Sequence, residues 1–415
     1  MELSMLPTEL IHTISGHLEL PDQLFLCRTN HRLYAICVKW IYRVLDLKSP
    51  VQLLRCCKTI IARPEAAVSV LEFKIDCFPR YTLKSFHTTL QSAAIRMENL
   101  RVIAIYSRRL FPSIADMVFP RLTGCNIPLL LDSASSYSFL RRNPTIESTI
   151  IIPALDQSIQ NHLHHIQPVH MPKLRHFLGP EIAACAVVPG SPLSTLRILW
   201  LSKPPMGYSR GLGAVASSTA EPRELTNVIL SWDPALLRAI AMHTPRIECL
   251  NIRGQYLSGL TTEKKDFLSA MDATLRSLTC LKDLVIFDDT PFDRVADELE
   301  SEFDRVRRWG DICPSLMRVT ITDGFTAWKR FYEIWVPWDC FATDLESVEC
   351  LKWFITKTVV SPELPSFYRI LADNFAGVAG MRVLEEAVER GEAVPAFDIL
   401  PTEGGGTVIS FPSNP

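Results

Sequence analysis

The sequence predicts an α/β protein with a small helical module at its N-terminus, followed by an irregular solenoid of strand–helix repeats. Two observations support this fold class. Residues 1–47 contain three short helical segments, of which the first and third are amphipathic. A strand-like phrase then recurs through the rest of the chain. The 415 residues are 47% apolar and 21% charged, which is typical of globular proteins and not of disordered ones.

The first helical segment lies in the run LPTELIHTISGHL. A proline at the first position of a helix, here Pro7, costs little because its missing N–H would have no partner there. Leu10, Ile14 and Leu18 follow at i, i+4 spacing, with Ile11 beside them. The spacing predicts a helix with one apolar stripe.

Two further helical segments follow. Pro21 and Asp22 restart the chain before a short helix or turn, and Asn30 is a suitable N-cap for a third segment. Apolar residues between Leu33 and Val44 recur at the spacing of an amphipathic helix. Three helices of this size bury too little apolar area to be stable alone, so a further surface must cover their apolar side.

The N-terminal run resembles an F-box of the fungal type. The resemblance covers about a tenth of the chain, and an ordinary helical bundle is the alternative. Ser15 stands where many F-boxes have a bulky apolar residue, and Leu33 stands where some have tryptophan. The residues that carry the resemblance are Leu6-Pro7, Glu9-Leu10, Ile14, Leu18, Leu20-Pro21-Asp22, Leu24, Leu26, Asn30, Arg32-Leu33 and Tyr42-Arg43-Val44-Leu45.

The resemblance implies a partner for residues 1–47. In F-box proteins this module packs against a Skp-family adaptor, which joins it to a cullin–RING ubiquitin ligase. The positions implied for the adaptor contact are Leu6, Pro7, Leu10, Ile11, Ile14 and Leu18.

From residue 48 onward, a leucine or isoleucine followed by alternating apolar positions recurs at irregular intervals. Such alternation is typical of a half-buried strand. The phrases are Leu71–Ile75, Leu100–Ile105, Leu196–Leu201, Ile247–Ile252, Leu281–Ile286, Leu316–Ile321 and Leu345–Leu351. Helices are predicted between them at Pro50–Ala62, Thr82–Met97, Pro234–His243, Thr261–Leu278 and Phe292–Arg308.

Stacked strand–helix units cover one another's apolar faces, so the pattern indicates a leucine-rich-repeat-like domain over residues 48–400. It resembles the degenerate repeats that commonly follow an F-box. A compact α/β domain with a mostly parallel sheet is the alternative. Residues 203–224, rich in Gly, Ser, Pro and Ala, predict a flexible insertion. Residues 401–415 predict a frayed or extended tail.

Patterns that could carry chemistry are weak. Residues 207–211 match the G-x-S-x-G motif of serine hydrolases, but that motif needs a strand running directly into a sharp turn and a helix. The histidines of residues 162–170 have no carboxylate or cysteine nearby to complete a metal site. Phosphate-binding and dinucleotide-binding glycine motifs are absent from the sequence. We expect no catalytic residue, no metal and no cofactor, with a hydrolase using Ser209 as a remote alternative.

Charge and cysteine usage restrict the partners and the compartment. A formal net charge of −2 gives no global reason to bind nucleic acid or an anionic membrane. The sequence shows neither a signal peptide nor an apolar stretch of the ~18–20 residues that a spanning helix needs. Twelve cysteines without a C-x-x-C pair predict free thiols in a reducing compartment, the cytoplasm or the nucleus.

These observations predict a non-enzymatic substrate receptor of an SCF-type ubiquitin ligase. The F-box would bind the adaptor, and the repeats would bind an unknown target protein. A protein-interaction scaffold without ligase function is the alternative. Trp328, Trp335, Trp338 and Trp353 lie among phenylalanines near the C-terminus, where they would fill a core or anchor a partner.

Overall fold

The computed structural model describes residues 6–129, 134–153, 167–201, 207–255, 261–288, 296–321, 327–331, 334–337, 398–401 and 407–410, together with Trp353, Glu386 and Arg390. These residues form a mixed α/β fold with mostly parallel strands, which confirms the predicted class at that level. The chain divides into two compact units, Met1–Pro222 and Arg223–Pro415.

The first unit begins with three helices and continues with alternating strands and helices. Its elements are α1 (Thr8–His17), α2 (Leu20–Thr29), α3 (His31–Ile41), β1 (Val44–Leu47), α4 (Pro50–Ala62), α5 (Pro64–Ser69), β2 (Glu72–Ile75), α6 (Lys84–Ala94), β3 (Val102–Ile105), a 3-10 turn (Phe111–Ser113), β4 (Gly124–Pro128), α7 (Ala134–Arg142), β5 (Ser148–Ile152), β6 (His176–Pro180), α8 (Glu181–Val187), β7 (Thr195–Leu199) and α9 (Tyr208–Ala216). Strands β1 to β7 pair in chain order, and each is parallel to the next.

The second unit continues the alternation and ends in antiparallel strands. Its elements are β8 (Glu224–Ile229), α10 (Pro234–His243), β9 (Cys249–Gly254), α11 (Thr261–Leu275), β10 (Asp283–Asp288), α12 (Ala296–Ile312), β11 (Arg318–Ile321), β12 (Ala327–Phe331), β13 (Ile334–Pro337), β14 (Asp398–Pro401) and β15 (Thr407–Ser410). Strands β8 to β11 are parallel and in chain order, whereas β11, β12 and β13 pair antiparallel. Strands β14 and β15 form a separate antiparallel pair.

One hydrogen-bond fork joins successive parallel strands within each unit. In each fork the acceptor is the carbonyl of the residue immediately before a strand. It accepts hydrogen bonds from two consecutive N–H groups at the next strand, namely those of the residue immediately before that strand and of its first residue. At the first step, the carbonyl of Arg43 accepts from the N–H groups of Leu71 at 2.9 Å and Glu72 at 3.0 Å. The accepting carbonyls are those of Arg43, Leu71, Arg101, Thr123, Glu147 and Arg175 in the first unit and of Arg223, Glu248 and Lys282 in the second.

The alternating apolar pattern seen in the sequence corresponds to a constant burial pattern in the parallel strands. The second and fourth residues of every strand from β1 to β11 are buried, and so is the residue two positions before each strand from β2 to β11. In β3 these residues are Leu100, Ile103 and Ile105, at 1%, 0% and 0% exposure. Alternation in the sequence therefore corresponds to one covered face of the sheet.

Several element predictions hold, and others are wrong. The predicted helices Pro50–Ala62 and Pro234–His243 coincide with α4 and α10. Val44 lies in β1 and not in the third helix, because α3 ends at Ile41 and the chain turns directly into the sheet. The phrases identified in the sequence did not include β4, β5, β6 or β8. In three of these strands a buried position is occupied by a residue that is not a large apolar one, Thr149 in β5, Gly179 in β6 and Asn227 in β8. The phrase Leu345–Leu351 lies outside the described residues.

The predicted flexible insertion needs correction where the structure describes it. Residues 208–216 form α9, with Tyr208, Leu212 and Val215 buried on one side. The glycines and alanines of this segment permit close packing, and the side chain of Trp200 covers Gly211, where an added Cβ would lie 2.8 Å from the Trp200 ring. In the tail, residues 407–410 are paired as β15.

Candidate docking surface on the N-terminal helices

The three N-terminal helices share a very small apolar interior. Ile11 of α1 packs with Leu33 and Ile36 of α3, and Leu6 and Leu26 lie partly buried against them. Both α1 and α2 pack against α3. An interior of so few side chains agrees with the expectation that the trio has a shortage of buried apolar area.

A buried polar cluster fixes α1 against the other two helices. Ser15 is 0% exposed; its hydroxyl donates to the carbonyl of Ile11 at 2.7 Å and lies 3.3 Å from the Cys37 sulfur. The side-chain amide of Gln23 donates to the carbonyls of Ser15 and Leu18, both at 2.9 Å. These bonds satisfy buried groups that would otherwise destabilise the trio.

The same cluster contains a thiol that stays neutral at neutral pH. Burial, with the neighbouring Cys37 adding to it, raises the pKa of Cys27 to about 11. A protonated thiol adds no charge to this small interior, which has few groups to stabilise one.

Close contact between α1 and α3 depends on Gly16. A Cβ at this position would lie 2.8 Å from the Trp40 ring, so only glycine allows the indole to approach. The Trp40 ring also donates its N–H to His12 Nδ1 at 3.2 Å, and the guanidinium of Arg43 lies 4.7 Å from the ring centre. These contacts hold one side of α1 against α3.

The N-terminal side of α1 is held by Arg32. Its guanidinium donates to the carbonyl of Leu6 at 2.8 Å and to the hydroxyl of Thr8 at 3.2 Å. The start of α1 and the segment before it are therefore tied to α3.

The outer sides of α1 and α2 leave large apolar side chains in solvent. On α1, Leu10 is 52% exposed and Ile14 is 38% exposed, one helical turn apart. On α2, Leu20 is 53%, Leu24 is 42% and Phe25 is 68% exposed. We call these five side chains the docking face. Since both helices direct their other sides towards α3, the docking face remains uncovered after the chain has folded.

The six residues predicted for the adaptor contact are divided by the structure. Leu10, Ile14 and Pro7 are exposed, and Leu6 and Leu18 are half-buried. Ile11 is 1% exposed because it points to the opposite side of α1, where it fills the interior of the trio.

Sequence reasoning missed Leu20, Leu24 and Phe25 as members of the docking face. The i, i+4 spacing of the two leucines was the available signal. Both departures from the F-box pattern lie inside the trio, since Ser15 is 0% and Leu33 is 4% exposed. Neither changes the docking face.

The other candidate residues show no comparable arrangement. Ser209 is exposed and lies inside the first turn of α9, one residue after the helix begins, and not at a turn between a strand and a helix. His170 is exposed, and the remaining histidines of that segment lie outside the described residues. Within the described part of the chain, no group of three or more His, Cys, Asp or Glu side chains is placed to hold a metal ion.

The tryptophans near the C-terminus are in part core residues. Trp328 and Trp335 are 0% and 2% exposed. The rings of Phe303 and Trp328 both contact the half-buried Trp353, with centres 5.4 and 5.6 Å from it. Trp338 lies outside the described residues.

Comparison with family models and with curated proteins finds no match. Among the described residues, no helix has both the length and the apolar character needed to cross a bilayer.

Proposed function

We propose that this protein is a substrate-recognition subunit of an SCF-type cullin–RING ubiquitin ligase. The observation that carries the proposal is the docking face. Five large apolar side chains on α1 and α2 stay between 38% and 68% exposed after folding. Apolar side chains grouped on a small helical module favour a protein partner, and the F-box resemblance identifies that partner as a Skp-family adaptor.

The repeats supply the second half of the proposal. Strands in plain chain order, joined by the same backbone fork at every parallel step within each unit, support a leucine-rich-repeat-like solenoid. A doubly wound α/β domain reverses its strand order at a switch point, and neither unit shows such a reversal among the described strands. The repeats would hold a target protein.

This function needs no catalytic residue in the chain. Holding a target beside the transferring enzyme raises its effective concentration, and other subunits contribute the bond-making groups. The cysteines of the described residues are free thiols, several of them buried, and this supports placing the protein in the cytoplasm or the nucleus.

The test is binding of the full-length chain to a purified Skp-family adaptor. Wild type should bind at micromolar concentration or below. Leu10→Asp and Ile14→Asp should abolish binding, because each places a charge where apolar contact is required. Val118→Asp is the matched control, since Val118 is 62% exposed in a loop of the first unit and should bind like wild type.

Three results would count against the proposal. A folded wild-type chain that does not bind the adaptor at micromolar concentration would favour the ligase-independent scaffold. Undiminished binding by both aspartate variants would show that the docking face is not the contact. Ester hydrolysis that disappears in Ser209→Ala would favour the hydrolase alternative.

A further inference from the structure

The loop of residues 76–83, between β2 and α6, holds three large apolar side chains in solvent. Tyr81 is 94% exposed, Leu83 is 77% exposed and Phe78 is 67% exposed. Single exposed apolar residues are common, but three in one short loop form an apolar cluster whose exposure to water is unfavourable.

The loop is firmly attached at its start. The N–H of Asp76 donates to the carbonyl of Leu47 at 3.0 Å, and the next residue, Cys77, is 3% exposed. The guanidinium of Arg109 donates to the carbonyl of Pro79 at 3.3 Å.

The end of the loop is held by a histidine on α6. His87 Nε2 lies 2.8 Å from the hydroxyl of Thr82, and its Nδ1 lies 2.7 Å from the hydroxyl of Ser113. Because the backbone is fixed at both ends, a partner would lose little affinity to ordering of the loop.

A neighbouring strand adds a fourth side chain, and a third ring, to the cluster. Tyr106 follows the last residue of β3, is 36% exposed, and donates its N–H to the carbonyl of Ile75 at 3.2 Å. The base of the loop and Tyr106 are therefore adjacent. We call Phe78, Tyr81, Leu83 and Tyr106 the aromatic rim.

Three cations lie in the loop or beside it. Arg80 lies within the loop, Lys84 directly follows it, and Arg109 contacts its backbone; all three are exposed. Asp76 is the single acidic residue of the loop. The whole chain has a formal net charge of −2, so this local excess of positive charge opposes the sign of the molecule. Apolar rings beside cations are complementary to a partner with both apolar and acidic side chains.

We infer that the aromatic rim binds a protein segment in which acidic residues flank large apolar side chains. An anionic membrane also has apolar and negative components, but the net negative charge of the chain and the carboxylate of Asp76 disfavour that surface. The inference stands apart from adaptor binding, because the rim and the docking face belong to different elements. If both hold, the rim takes part in binding the target.

The inference is tested with a displayed library of random dodecapeptides selected on the folded full-length chain. The expected peptides combine Asp or Glu with Leu, Phe or Trp. Synthetic copies of them should bind less tightly as the salt concentration rises, because exposed charge pairs are screened.

Single substitutions in the rim should then weaken binding of those peptides. Tyr81→Ala and Arg80→Glu should each raise Kd about tenfold or more, which is the size of effect expected at the centre of an interface. Met242→Ala is the matched control, because Met242 is 72% exposed on α10 and should leave Kd unchanged. All of these side chains are exposed, so circular dichroism should show wild-type folding in each variant.

Several outcomes would overturn the inference. These are failure to select any peptide, selected peptides without acidic residues, and unchanged Kd in Tyr81→Ala and Arg80→Glu. Sedimentation with phosphatidylserine vesicles that is lost in Tyr81→Ala would make the rim a lipid-binding surface instead. None of these outcomes depends on the adaptor, so failure here and failure of the proposed function are distinguishable.

Discussion

Leu10 and Ile11 are neighbours on α1 with opposite environments, and truncating each to alanine should separate adaptor binding from stability. Leu10 is 52% exposed and Ile11 is 1% exposed. Full burial of a leucine side chain is worth about 1.5–3 kcal/mol. Burying the exposed half of Leu10 against an adaptor would therefore contribute about 0.8–1.6 kcal/mol. At 1.4 kcal/mol per tenfold change, Leu10→Ala should raise the adaptor Kd about 4- to 15-fold.

The effects on stability should be in the opposite order, with Ile11→Ala destabilising the helical trio more than Leu10→Ala does. Leu10→Ala should change the stability of the helical trio by less than about 0.5 kcal/mol, because the side chain contributes little to the interior. Ile11→Ala removes one of the few fully buried side chains and should cost about 2–5 kcal/mol, through lost transfer free energy and the cavity left behind.

Isothermal titration calorimetry with the adaptor measures the first effect, and amide hydrogen exchange of peptides from residues 6–41 measures the second. Hydrogen exchange is chosen because it reports on this segment separately from the rest of the chain. The reasoning would be refuted if Leu10→Ala accelerated exchange as much as Ile11→Ala. It would also be refuted if Leu10→Ala left Kd unchanged.

Two further predictions concern buried polar groups of the first unit. Asn143 is 1% exposed and accepts from the N–H of Phe119 at 2.7 Å while donating to the carbonyls of Met117 at 3.0 Å and Phe139 at 2.8 Å. Asn143→Ala should therefore lower the free energy of unfolding by about 2–4 kcal/mol in urea denaturation, and an unchanged midpoint would contradict this role. Burial raises the pKa of Cys125 to about 12, so at pH 8 only about one thiol in ten thousand is ionised and native Cys125 should resist iodoacetamide until guanidinium unfolds the chain. Because folding raises the pKa of this thiol, its contribution to the stability of the native state is complete below its ordinary pKa near 9.0 and should decline as the pH rises from there towards 12. Rapid labelling of the native protein at pH 8 would refute the assignment.

Periodicity in the sequence was enough to predict the α/β class and the helical trio. The i, i+4 spacing of Leu10 and Ile14 places them on one stripe, and the structure shows that stripe in solvent. It could not place Ile11, which adjoins the stripe in sequence but points into the trio. Which side of a helix faces inward depends on the partner helices, and a single helix pattern does not contain that information.

The strands of the first unit show a second limit. Phrases such as Leu100–Ile105 were found because both buried positions are apolar. In β5 a buried position is Thr149, whose hydroxyl lies 3.1 Å from the Cys125 sulfur, and in β6 one is Gly179 beside the Phe177 ring. A buried threonine or glycine breaks the apolar alternation, although the backbone pairing is the same.

The polar cluster around Ser15 could not be predicted from sequence either. Ser15 was a departure from the F-box pattern, and Gln23 is a polar residue on a short helix. Their bonds form only when α1, α2 and α3 come together. Long-range hydrogen bonds of this kind leave no periodic signal.

The carbonyl fork ahead of each parallel strand has a consequence for how the chain tolerates changes in length. Every fork uses backbone atoms alone, and it aligns a strand with its predecessor at one fixed point. The segment that connects two strands therefore has only to return the chain to that point, whether it consists of one short helix or of a longer stretch of residues. Residues added or removed within such a connecting segment would leave the alignment of the strands unaltered. This explains how strand–helix segments of unequal length share a single geometry.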